Sequence, residues 1–145
     1  MFKHILLPVD GSSTSLMAVE KARGLAQAFG SAVTLIYVID PYAFSGVGTD
    51  FAYGQAQYLA AATAEAKGAL GDATQSLEAA GITVTASLVE SHAIYRGILE
   101  TASSVGADLI VMGSHGRRGL EKLMLGSVAA QVLAHAHLPI LIVRD

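Results

Sequence analysis

Two kinds of hydrophobic block alternate along this chain: short unbroken apolar runs, and longer stretches in which apolar residues return every three or four positions. The runs predict five strands, Lys3 to Asp10, Ala32 to Ile39, Ile82 to Glu90, Asp108 to Gly113 and Pro139 to Arg144. The periodic stretches predict four helices between them. In the first, Ser13 to Phe29, the stripe is Leu16, Val19, Ala22, Ala26 and Phe29, and Gly30 follows as a stop. The second, from about Gln57 to Ala80, carries Leu59, Ala62, Ala66, Leu70, Ala73, Leu77 and Ala80 on one face and ends at Gly81. A third spans Ala93 to Val105 before Gly106, and a fourth starts at Gly126 and Ser127 and ends near Ala136.

Strict alternation of strand and helix in a short chain predicts an α/β fold, a doubly wound parallel sheet of five strands in the order 3-2-1-4-5 with helices on both faces. The continuous apolar runs at Ile5 to Leu7, Leu35 to Val38 and Leu109 to Met112 suit strands covered on both sides. The stretch Ile82 to Ser87 alternates and suits a half-solvated edge. The last strand, Pro139 to Arg144, is as apolar as the central ones yet falls at the other edge. It is therefore expected to pair with a second copy of itself in a homodimer, unless a helix of the same chain covers it.

Length and composition sharpen this only in places. The 145 residues fit one domain, 1 to 145, able to bury a core without covalent staples. The chain has no cysteine, which removes disulfides, thiolate metal sites and cysteine nucleophiles. A mean hydropathy of +0.50 is high, but no apolar run reaches the roughly 18 to 20 residues of a membrane span. The apolar stretch after Met1 is too short for a signal peptide and soon meets Asp10, so a cytoplasmic location is the expectation. A net charge of -3 argues against general nucleic-acid binding. Arg117, Arg118 and Lys122 still make one local positive spot.

Ligands of a doubly wound sheet sit beyond the carboxyl ends of the strands, where neighbouring connections leave on opposite faces. Two unusual turns fall there. The first strand ends in Pro8, Val9, Asp10, Gly11, Ser12 and Ser13, and the fourth opens into Gly113, Ser114, His115, Gly116, Arg117, Arg118 and Gly119. Glycines permit close backbone approach, and exposed N–H groups suit phosphate. Nine residues after Gly116 come Gly126 and Ser127, with Ser127 placed to cap a helix whose start faces the same crevice. Neither GxxxxGK[ST] nor a dinucleotide fingerprint is present. Replacing Gly113 and Gly126 with valine is expected to abolish nucleotide binding without unfolding the chain.

The spacing Gly-x2-Gly-x9-Gly-Ser at Gly113, Gly116, Gly126 and Ser127 resembles the nucleotide-binding signature of the ATP-binding branch of the universal stress protein family. The resemblance runs from Ile5 through Ser12 and Ala107 through Gly116 to Leu138 through Arg144. It implies that Pro8, Val9, Asp10 and Val38 hold adenine and ribose. Met112, Gly113, Gly116, Gly126, Ser127 and Val128 are implied to hold ribose and phosphates, and Ser114 and His115 share the loop; from the sequence itself, Arg117 or Arg118 either adds a phosphate contact or is an ordinary solvated loop residue. The resemblance also implies ATP with accompanying Mg²⁺, and a regulatory, stress-response role. The chain departs from the family at Ser91, His92 and Ala93, where a Gly-x-Pro-like helix entry is usual, and between Pro41 and Tyr58.

Plainer roles compete at several positions. Asp10 also suits a turn or helix cap. His115 has no partner fixed by spacing, so no catalytic residue is expected, although slow hydrolysis or phosphotransfer with Asp10 or His115 orienting a nucleophile is the enzymatic alternative. A third reading is a dimer of the same fold that binds no nucleotide. His135 and His137 form an HxH pair that suits a helix C-terminus better than a metal site. Tyr42, Phe44, Phe51, Tyr53 and Tyr58 cluster after the second strand, as a packed connection, a lid or a partner surface.

Overall fold

The structure, a computed structural model, describes residues 1–41, 48–115 and 125–145, and of these the side chains outside 48–53. The expectations placed on Gly116, Arg117, Arg118, Lys122, Tyr42, Phe44 and the side chains of Phe51 and Tyr53 lie outside the described residues. The elements are β1 (His4–Pro8), α1 (Ser13–Phe29), β2 (Ala32–Ile39), α2 (Gly48–Ala79), β3 (Val84–Glu90), α3 (Ile94–Val105), β4 (Leu109–Gly113), α4 (Ser127–His135) and β5 (Ile140–Val143). All strands are parallel and lie in the order β3-β2-β1-β4-β5, as the alternation predicts.

Each central strand sends successive side chains to two separate cores. Ile5, Leu7, Val33, Leu35, Leu109 and Val111 meet α1 and α2, while Leu6, Ile36, Val38, Ile110 and Met112 meet α3 and α4. The first two connections therefore cover one face and the last two the other. The chain changes face between β1 and β4, which are hydrogen-bonded neighbours. Their connections diverge and leave a crevice at their carboxyl ends.

Helix α1 has the expected ends: Ser12 Oγ accepts from Ser15 N, and Gly30 closes the helix in the left-handed conformation. Its buried stripe is Thr14, Ser15, Ala18, Val19, Ala22 and Ala26. Leu16 and Phe29 are not core residues, being 60% and 41% exposed. Leu16 belongs to the flank turned away from the sheet, and Phe29 packs edge-on against Phe2 with ring centroids 5.7 Å apart. Helix α2 buries the expected Ala66, Leu70, Ala73 and Leu77 but starts at Gly48, well before Gln57. Its 32 residues span about 48 Å at 1.5 Å per residue, against about 26 Å for the eight residues of β2. The first turns overhang the sheet at the carboxyl ends of the strands, so no core periodicity marks them.

Among the described residues, β3 and β5 form the two edges of the sheet and neither pairs with a further strand. β3 is more exposed than simple alternation implies, with only Val84 and Val89 partly covered. In β5, Val143 is buried and Leu141 is 39% exposed, and among the described residues the strand pairs with β4 alone. Among the described residues no helix is long and apolar enough to cross a membrane.

At the amino ends of the strands, Asp108 fastens β1 to β4. Its carboxylate accepts from Lys3 N at 2.9 Å and His4 N at 3.0 Å. The Lys3 N–H bond, more than any other influence, holds the Asp108 pKa below its ordinary value. A lowered folded-state pKa adds stability above the unfolded value of about 3.9, and this is lost as pH falls through and below it. Asp108→Asn is expected to cost about 1 kcal/mol between about pH 5 and 7. Denaturant melts should show the gap from wild type closing below about pH 4; a gap independent of pH would rule out the charge.

Candidate functional site

At the divergence of β1 and β4 the chain builds a compact polar turn. Gly11 turns the backbone at φ 80°, and Asp10 Oδ1 accepts from Ser12 N at 2.9 Å. Asp10 N in turn donates to Ser15 Oγ at 3.1 Å, and the Tyr37 hydroxyl donates to Asp10 O at 3.3 Å. Asp10 thus closes a turn, while the helix cap itself is Ser12. Pro8 is half-buried beside the buried Val9, and Val38 and Met112 are buried at the ends of β2 and β4, on the face of α3 and α4.

The β4 exit is tied to three other elements. Ser114 N donates to Val143 O at 2.8 Å, and Gly126 N donates to Ser114 O at 2.7 Å. The Thr14 hydroxyl donates to His115 O at 2.5 Å. His115 Nε2 lies 3.6 Å from Asp145 Oδ1, an ion pair when the imidazole is protonated. Residues of β1–α1, β4, α4 and the β5 end therefore converge on one spot. Sequence reasoning missed Thr14, Ser15, Tyr37 and Asp145 there. The Ser12 to Ser15 run of hydroxyls was a signal for the first two; a tyrosine inside a strand and an acid after the last strand carry none.

The glycine spacing has a packing cause that precedes any ligand. A Cβ on Gly113 would stand 2.7 Å from Thr14 Oγ1 and 3.0 Å from the Thr14 backbone carbon. One on Gly126 would stand 3.0 Å from both His115 Cα and Ser114 O. Gly126, with φ -65° and ψ 158°, is itself the N-cap of α4. Ser127 is not the cap: it is the first helical residue, exposed, and α4 has no side-chain cap. Gly126 takes the cap position because only a residue without a side chain fits against the Ser114–His115 backbone.

The consequence is a helix start with no side-chain cap among the described residues and no acid in its first turn. Beside it, Ser114 is 1% exposed and its hydroxyl has no hydrogen-bond partner among the described residues. A buried orphan hydroxyl costs on the order of 1–3 kcal/mol until something bonds to it. These donors fit an anionic group such as a nucleotide phosphate: the N–H groups of Ser127 and Val128 and the Ser114 hydroxyl would hold it, and a bound nucleotide would supply a charged, exchangeable ligand. Elsewhere, His135 occupies the last turn of α4, bonds Gln131 O at 2.9 Å and stacks on Tyr95 with centroids 5.1 Å apart. No metal-ligand group is found among the described residues.

Comparison with known proteins gives the family. The model of the universal stress protein family matches residues 1–144. This chain belongs to the universal stress protein family. Universal stress protein MJ0531 of Methanocaldococcus jannaschii is 35% identical over 144 residues, 99% of this chain and 83% of the relative. The solved structure of MJ0577, from the same organism, is 29% identical and covers 100% of this chain and 97% of its own, with a TM-score of 0.85. A universal stress protein solved in complex with cAMP is 26% identical, covers 99% and 97%, and has a TM-score of 0.68. Nucleotide binding therefore occurs among the structural neighbours of this chain.

The close approaches at Gly113 and Gly126 add a stability cost to the expectation that valine there abolishes binding without unfolding the chain. Gly113→Val and Gly126→Val are each expected to lower stability by about 1–3 kcal/mol through overpacking against backbone. Thermal unfolding in the absence of any ligand checks this: unchanged midpoints would mean that the two turns are looser than described.

Proposed function

We propose that this universal stress protein binds ATP at the β1/β4 crevice, with Mg²⁺ arriving on the nucleotide, and acts in the cytoplasm as a nucleotide-dependent regulatory module. The observation that carries the reading is the start of α4, which has no side-chain cap among the described residues, beside the buried Ser114 hydroxyl, which has no hydrogen-bond partner among them. Gly113, His115, Gly126, Ser127 and Val128 form the phosphate end of the proposed site, with Gly116, Arg117 and Arg118 following in the loop. Pro8, Val9, Asp10, Val38 and Met112 form its nucleoside end. The relative solved with cAMP supports the ligand class. Micromolar affinity corresponds to about -8 kcal/mol, and a few charge-assisted bonds at roughly 1.5–3 kcal/mol each, with burial of the base, are sufficient after the cost of association.

Binding is preferred over hydrolysis as the primary activity because the Asp10 carboxylate is already engaged with Ser12 N in closing the turn. The link from Ser114 N to Val143 O connects the proposed phosphate end to β5. A homodimer through the last strand, Pro139 to Arg144, completes the proposal: it would cover the open edge of β5 together with Leu141 and the 45% exposed Leu133 of α4.

Calorimetric titration with ATP, ADP and AMP in the presence of Mg²⁺ checks the ligand. ATP is expected to bind at least about tenfold tighter than AMP, a difference of about 1.4 kcal/mol; no heat at millimolar ATP would refute the site. Sedimentation checks the assembly. Leu141→Glu is expected to give monomers of unchanged circular dichroism, whereas a wild-type mass of one chain at every concentration would remove the dimer.

A further inference from the structure

With phosphates at the start of α4, beyond β4, a nucleotide lying across the end of β1 brings its base to the end of β2, since strands about 4.8 Å apart place β2 about 10 Å from β4. The exit of β2 is gripped from both faces of the sheet. On one face, Gln55 Nε2 of α2 donates to Pro41 O at 2.9 Å, and the Tyr58 hydroxyl donates to Asp40 O at 3.4 Å. These side chains are three residues apart, hence on one face of the helix, and take two consecutive carbonyls. Both lie in the overhanging part of α2, before the stripe that begins at Leu59 packs on the core.

On the other face, α3 comes unusually close. A Cβ on Gly97 would stand 2.9 Å from Val38 Cγ1 and 3.1 Å from Ser91 Cβ. Valine is stiff at χ1 and has little room to swing away, so Gly97 fixes where Val38 sits. Ser91 N adds a bond to Ile39 O at 3.0 Å. The stretch from Val38 to Pro41, which leaves the sheet and would ordinarily be the freest part of the crevice wall, is held at every residue.

We infer that Gln55, Tyr58 and Gly97 are positioning residues that set base selectivity by fixing the β2 exit between α2 and α3. This rests on the proposal that the phosphates face α4. The overhang of α2 then has a purpose that core packing does not supply: it extends the helix far enough to reach the β2 exit.

The test is titration of ATP, GTP and AMP into the wild-type chain, the Gln55→Ala/Tyr58→Phe double variant and Gly97→Ala, each well below its unfolding midpoint. The wild type is expected to prefer ATP over GTP. Each variant should reduce that preference about tenfold, the scale of one lost pocket contact, while the ATP to AMP ratio stays within about twofold. General destabilisation does not change a ratio of affinities for two bases, so selectivity separates positioning from mere structural support. An unchanged preference in the double variant, a wild type indifferent to the base, or a parallel collapse of both ratios would overturn the assignment. A wild type that binds none of the three overturns the phosphate site itself and this assignment with it, and is distinguished by the absence of any wild-type isotherm.

Discussion

The connections after β1 and β4 leave on opposite faces of the sheet, and the rest of the site follows from that divergence. Neighbouring parallel strands normally send their chains over the same face, where one loop fills the space beside the next. Here α1 goes one way and the chain toward α4 the other. The gap between them is lined by backbone, because Gly113 lies against Thr14 and Gly126 against Ser114 and His115. Side chains cannot fill these approaches. Polar backbone and the buried hydroxyls of Thr14, Ser15 and Ser114 are left there, and chemistry follows from packing rather than from a dedicated set of reactive groups.

The same tight packing joins distant parts of the chain. Ser114 is bonded to Val143 through its N–H and to Gly126 through its carbonyl, so the β4 exit, the start of α4 and the end of the edge strand form one hydrogen-bonded unit. A ligand that draws on Ser114 or on the first turn of α4 pulls on β5 with no further relay. In the proposed function this short path is what lets occupancy of the crevice be felt at the surface where a second copy would dock.

Much of this was legible in the residues alone. Strand order followed from alternation and from which runs are continuously apolar, and the crevice was located by two odd turns, Pro8 to Ser13 and Gly113 to Gly119. What was misread has physical causes. Leu16 and Phe29 keep helical spacing with the core stripe, but periodicity does not say which flank of a helix touches the sheet. The first turns of α2 have no apolar stripe because they lie past the end of the sheet, so they read as an aromatic loop. Ser127 looks like an N-cap in sequence, yet the close approach of Ser114 O and His115 leaves space only for Gly126 at that position. Contacts such as Thr14 to His115, 101 residues apart, have no local signature at all.

The proposed function requires ligand binding at the β1/β4 crevice rather than at another concavity, such as the apolar groove between α2 and β3 lined by Leu70, Thr74 and Ala86. Backbone amide NMR with added ATP and Mg²⁺ locates the ligand directly. The largest shifts are expected at Val9 and Asp10, at Val38 to Asp40, at Gly113 to His115 and at Gly126 to Val128, with those of α2 around Leu70 unmoved. Shifts centred on Leu70 and Ala86, or none at saturating nucleotide, would contradict the proposed function.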